Sequence, residues 1–227
     1  MNIYNLSSNY GIKLITLFIF WKLIKKHPNL KKVKKETAFS VYRSLLCLNF
    51  LLYALENLIC NFNDLFTEPY TNRECYDDIS DWFIVYSIFD LIKMIFDKNK
   101  RVDLYIHHVW CLATFIICKC FNKCSALVNA SLLAEAISIV SGIDLIAMEN
   151  NNLKESYYYK KYRKYVIKFF RLPLWIILLL MTIKNTRKTP SFLWYNFILS
   201  SIVMIGLDQF WEKKCNKVIK KYEDKSL

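Results

Sequence analysis

Glycine is nearly absent from this 227-residue chain, and the three that occur, Gly11, Gly142 and Gly206, lie far apart. Phosphate cradles of the Walker or GxGxxG kind need several glycines close together, because the backbone itself must approach the phosphates. Neither can be built here, and no GxSxG nucleophile elbow is present. Nucleotide hydrolysis and serine-hydrolase chemistry are thereby set aside. The eight cysteines form no CxxC, and Cys118, Cys120 and Cys124 have no histidine cluster nearby. A zinc site is therefore not expected, no metal is assigned, and the thiols read as small buried hydrophobes. No repeat of solenoid length is found.

What the chain has in quantity is apolar surface. Hydrophobic residues make up 55% and aromatics 16%, with a mean hydropathy of +0.18, too apolar for a soluble domain of this size. A membrane span needs about 20 largely apolar residues. Seven candidates follow along the chain, at 10–25, 38–62, 81–97, 103–121, 125–148, 166–183 and 191–211. The fold class is thus all-α, a polytopic transmembrane helix bundle of about seven spans. The first candidate carries Lys13 and Lys22 and reads either as a span or as an interfacial helix. A lysine-rich stretch follows it where a small-residue cleavage site would stand, which argues against a cleaved signal peptide.

The formal charge of +13 is distributed between the apolar runs and not gathered on one polar face, so a nucleic-acid partner is not expected. With the N-terminus outside, the inside segments 25–36, 98–101, 154–164 and 213–225 hold twenty Lys and Arg residues and the outside segments five. Translocated loops are poor in these residues, so the N-terminus is predicted lumenal and the C-terminus cytosolic. Attraction to anionic headgroups is a secondary role for the same residues. Tyr157, Tyr158, Tyr159, Tyr162 and Tyr165 read as an interfacial belt. If the second loop is lumenal, a Cys60–Cys75 disulfide is feasible, and whether it forms is left open. The C-terminal tetrapeptide carries no recognised address.

Ionisable groups inside a bilayer cost several kcal/mol, roughly 2.5 to 3.5 on insertion scales, so each needs a partner or a function. Span four holds two of the three histidines, His107 and His108, with Asp103 one turn before His107 and Cys111 and Thr114 continuing that face. A carboxylate at that spacing can accept an imidazole N–H, fix the tautomer and raise basicity, as a general base or nucleophile requires. The alternative is that both histidines are interhelical hydrogen-bond donors. His108 points about 100° away from His107, so the pair cannot easily chelate one metal. On span three, Asp90 shares a face with Tyr86, Lys93 and Asp97, and an internal Asp90–Lys93 pair would neutralise it. Span five offers Ser131, Glu135, Ser138 and Gly142, a small and polar stripe of the kind that faces other helices. Glu135 is expected to meet a histidine or Arg171 across the bundle, or to be protonated. Arg171 beside Pro173, and Asn196, Ser200 and Asp208 on the last span, complete a set that can line one polar cavity, suited to a lipid headgroup or an acyl-transfer site.

The run from Tyr86 through Asp90-Leu91, Asp97 and then His107-His108 resembles the core of the TLC-domain family, which includes ceramide synthases and translocation-associated and lipid-regulating membrane proteins. Glu135 near Ser138, Arg171 at the start of a late span, and Gln209 with Trp211 at the end of the last are similar to that family's pattern. The resemblance covers roughly residues 36–221. It implies a six-helix core, preceded here by an N-terminal helix and basic loop over 1–35 and followed by a tail over 222–227. It also implies an endoplasmic-reticulum or related membrane and a role in lipid metabolism, sphingolipid included. Lys100 and Cys111 stand where the synthase signature has Asp and Thr, Glu-Ala-Ile-Ser is one residue longer than the family's Glu-x-Ser, and no homeobox-like insertion is present.

Two functions follow from the resemblance. One is a membrane protein that binds lipid or adjusts membrane composition. The other is an N-acyltransferase using acyl-CoA as co-substrate and no other cofactor, with His107 or His108 as base or acyl acceptor, Asp103 orienting it, and Asp90, Glu135, Ser138 and Arg171 around the substrate. Membrane lipids are the expected partners, with a second membrane protein, such as a translocation channel, as the alternative.

Overall fold

The computed structural model describes residues 3–60, 63, 66, 74–185 and 190–224, with side chains of 3–8 and 74–76 left aside. The proposed Cys60–Cys75 disulfide therefore lies outside the described residues. Seven helices run through the described chain: α1 (Ile3–Lys26), α2 (Lys35–Cys60), α3 (Glu74–Phe96), α4 (Val102–Phe121), α5 (Ser125–Glu149), α6 (Leu153–Lys184) and α7 (Ser191–Glu223). Of these, α2, α4, α5, α6 and α7 are long and apolar enough to cross a membrane. No strand occurs among the described residues.

Each expected span lies within a helix, except that α2 ends at Cys60 and α3 at Phe96, and two helices, α6 and α7, run more than ten residues beyond their apolar cores. α7 continues to Glu223 because Glu212, Lys213, Lys214, Lys217 and Lys220 are good helix formers with no Gly or Pro among them. α6 begins with a polar stretch capped by Asn152, whose side chain accepts from the Glu155 N–H at 3.2 Å. At about 1.5 Å per residue, α6 and α7 each reach nearly 50 Å, well over a hydrocarbon layer of about 30 Å.

Two helices carry local irregularities. A tight 3₁₀ turn occupies Leu132–Glu135 in α5, and a wide π turn occupies Val166–Arg171 in α6. The wide turn stands directly before Pro173, whose missing N–H leaves the Phe169 carbonyl without its usual donor four residues on.

Aromatic packing joins α1, α2 and α3: Trp21, Phe39, Tyr42 and Phe89 form one cluster, and the Tyr42 hydroxyl donates to the Leu17 carbonyl at 3.2 Å. Phe50, Phe83, Tyr86 and Phe115 form another between α2, α3 and α4. The seam of α2 against α5 is tight for a different reason. A Cβ on Gly142 would run into Ser44 Oγ and stand 3.0 Å from the Ser40 carbonyl, so only glycine allows this approach. Ser44 Oγ closes the seam with a 2.8 Å hydrogen bond to the Ser138 carbonyl.

The outward faces are apolar. Ile12, Ile15, Ile19 and Leu23 recur at helical spacing along α1, and Leu52, Ile95, Leu180 and Ile202 stand exposed on other helices. Contiguous apolar surface of this extent needs an apolar surrounding. Near the loop joining α4 to α5, the buried Lys13 pairs with Asp78 at 2.5 Å, while Tyr10 and Lys119 share Asp81 at 2.6 and 2.8 Å.

Candidate functional site

α2, α3, α4 and α5 bring five charged or ionisable side chains to one level of the bundle. Asp90 on α3 is fully buried and meets Arg43 Nε of α2 at 2.6 Å and His108 Nε2 of α4 at 2.7 Å. The second of these is a close electrostatic contact, since the His108 N–H is not aligned on Asp90 Oδ2. His108 Nδ1 has no partner. One residue before, His107 sends Nε2 to Glu135 Oε1 of α5 at 3.3 Å and approaches Cys111 Sγ with Nδ1 at 3.8 Å. The two imidazole centres are 5.1 Å apart, so adjacent rings on one helix are each served by a carboxylate from a different helix.

Glu135 is held by more than the imidazole. Ser138 Oγ donates to its Oε2 at 3.2 Å and the Cys47 thiol reaches the same oxygen at 3.5 Å, while the Tyr86 hydroxyl lies 3.9 Å from that sulfur. A hydrogen bond to a carboxylate restricts its rotamer and leaves the imidazole tautomer to be set by the same contact.

A cavity of about 650 Å³ lies against this group. It touches His107, His108, Glu135, Ser138, Arg43 and Tyr86 at depth, and Lys98, Lys100, Lys160 and Arg163 toward one end of the bundle. Lys98 and Lys100 are exposed and both histidines are buried, so the space leads from the bundle's end to the imidazoles.

Three expectations are corrected. Asp103 does not serve His107: it accepts from Trp211 Nε1 of α7 at 2.7 Å and from Arg101 Nη2 at 2.5 Å, with Lys214 at 3.4 Å. Two donors from α7 and the arginine two residues earlier outcompete a neighbour on the same face. Asp90 does not pair with Lys93, which turns one helical step on to Asp97, because Arg43 of α2 already occupies the Asp90 side. Arg171 does not line the cavity. It is fully buried, with Nε 2.9 and 3.1 Å from the two Asp208 oxygens and Nη1 2.5 Å from the Ala134 carbonyl in the tight turn of α5, and its guanidinium lies over the Trp211 ring at 5.2 Å. Asp90 itself stands behind Arg43 and His108 and touches the cavity only through them.

Arg43 is the site residue that spacing did not nominate. An arginine set among Phe39, Tyr42 and Leu45 in an otherwise apolar helix was the available signal. Trp211 shares its ring between the two halves of the interior, 5.6 Å from His107 on one side and under Arg171 on the other. Among the described residues, no group of three or more His, Cys, Asp or Glu is placed to hold a metal ion. No family profile matches this chain, and neither a curated protein nor a solved structure matches it.

Chemically, the arrangement supplies two imidazoles in contact with carboxylates, one of them with a free Nδ1, at the inner end of a space large enough for a small ligand. With its proton on Nε2, His108 presents a lone pair at Nδ1, the form a general base takes.

Proposed function

We propose that this chain is a multi-pass membrane protein of the TLC type that binds membrane lipid in the histidine-floored cavity and acts on lipid composition or traffic. All seven helices span the bilayer in this reading, with the N-terminus lumenal, the C-terminus cytosolic and the endoplasmic reticulum or a related membrane as the site. The observation that carries it is the cavity running from exposed Lys98 and Lys100 to His107 and His108. Its volume of about 650 Å³ lies in the ordinary range for small-ligand sites. Its walls combine apolar side chains such as Met94 and Leu104 with the polar floor, as a molecule with a headgroup and a chain requires.

The test is lipid analysis of the chain purified from native membranes in mild detergent. A selective lipid class should remain bound, and a His107→Ala/His108→Ala variant should keep its fold and alter the class or amount retained. Recovery of only bulk lipid in membrane proportions would remove this reading.

A second reading is acyl-CoA-dependent N-acylation. It is favoured by one specific observation, the unpartnered His108 Nδ1 beside a cavity. Purified chain incubated with acyl-CoA and a sphingoid base should then form an amide, and the double histidine variant should not. Equal product from both proteins would eliminate it.

A further inference from the structure

The rim of the cavity is unbalanced in charge. Seven Lys and Arg residues line the space against four carboxylates. Three of those carboxylates are already engaged: Asp97 with Lys93 and Lys35, Asp144 with Lys160 and Ser156, and Glu135 with His107. Arg43 and Arg101 pair with Asp90 and Asp103, which leaves Lys98, Lys100 and Arg163 opposed by only Glu36 among the lining carboxylates. Among the described residues, Lys98 and Lys100 have no ion-pair partner, and the buried Nε of Arg163 has no acceptor. Like charges gathered beside a void, with a donor unused, are stabilised by an anion that enters it.

The backbone at the rim is also held in an uncommon shape. Lys98 has φ 49°, in the left-handed region that a residue with a Cβ enters at a cost of about 1–3 kcal/mol. That conformation ends α3 and leads into the short turn that sets Lys98, Lys100 and Arg101 at the opening.

Resting on the reading of the cavity as a lipid site, we infer that its mouth is a phosphate subsite formed by Lys98, Lys100 and Arg163, and that the ligand enters with a phosphate at the rim. The spacing gives the inference further content. From Arg101 to His107 the α4 axis rises about 9 Å. A phosphate held at the rim therefore sets the carbonyl carbons of a glycerol- or sphingoid-type lipid, a few bonds further in, near the level of the imidazoles. The same phosphate chemistry belongs to phospholipids and to the soluble phosphates of coenzyme A, and the experiment separates them.

The full chain is reconstituted in phosphatidylcholine nanodiscs, and binding of fluorescent phosphatidate is compared with fluorescent diacylglycerol, which lacks the phosphate. Phosphatidate should bind about tenfold more tightly, and the preference should fall as salt is raised. The Lys98→Ala/Lys100→Ala/Arg163→Gln variant should lose that preference while diacylglycerol binding and thermal midpoint stay unchanged. The Lys161→Ala/Lys164→Ala/Lys220→Ala variant, which removes charges from a separate groove between α6 and α7, should keep it. That control distinguishes the rim from general attraction of a basic protein to anionic lipid.

Free coenzyme A that displaces phosphatidate assigns the phosphate to a soluble source as well, and failure to compete assigns it to lipid alone. Equal binding of phosphatidate and diacylglycerol, or a preference that survives in the rim variant, overturns the phosphate subsite and leaves the lipid cavity standing. Binding of neither lipid overturns the cavity reading itself.

Discussion

Arg171 and Arg43 each place a guanidinium inside an apolar bundle, and each is met by an aspartate from another helix. Around Arg171 the surroundings are protein: both oxygens of Asp208, the Ala134 carbonyl and the indole of Trp211. Around Arg43 the aspartate is shared with His108, and a cavity touches both donors. Burying a charge is costly in either place, and the two sites meet that cost differently. The closed pair is scaffold. The open one stands where a ligand can complete it.

The largest expected effect breaks the closed pair. Arg171→Met leaves Asp208 buried without compensation, and a loss of about 3–5 kcal/mol should appear as a lowered thermal midpoint or loss of monodisperse protein. The double variant Arg171→Met/Asp208→Leu should recover most of it, and failure to recover would show that Arg171 does more than pair with Asp208. Arg43→Met should cost less, about 1.5–3 kcal/mol, because His108 remains beside Asp90. It should also weaken lipid retention, whereas a variant at Arg171 that still folds should not. An Arg43 variant with full lipid retention would erase the functional contrast between the two sites.

Gly142→Ala tests the seam beside the open site. The added methyl meets Ser44 Oγ and the Ser40 carbonyl, and about 1–3 kcal/mol should be lost in thermal unfolding, with partial recovery when Ser44→Gly is added. The smallest effect is expected at the wall the two sites share. Trp211→Phe keeps a ring between His107 and Arg171 but deletes the donor to Asp103, which should cost about 1 kcal/mol and leave lipid retention intact.

The helices were readable because apolar runs of span length are separated by short basic or polar segments. Their extensions were not, since a run of Lys and Glu is equally compatible with a loop. His107, His108, Glu135 and Ser138 came forward as polar letters in apolar stretches, and they meet in space. The failures share one cause. Spacing along a helix says which residues share a face, and so Asp103 was joined to His107 and Asp90 to Lys93. Which side chain crosses from a neighbouring helix depends on packing, and there Trp211 took Asp103 while Arg43 took Asp90. The position of Arg171 shows the same limit, because only the meeting of the tight turn in α5 with the wide turn in α6 closes it off.

That meeting point bears on how the protein would tolerate different membranes. Bilayers vary in thickness, and helices accommodate the mismatch by tilting or sliding against one another. The Arg171–Ala134 hydrogen bond pins α5 to α6 one residue from Glu135, at the level of the imidazoles. Tilt can then be taken up in the long polar ends of α6 and α7 while the distance from Glu135 to His107 is conserved. The same interior geometry would persist across thin and thick membranes, so transfer between them should change the outer ends of the bundle before it changes the site.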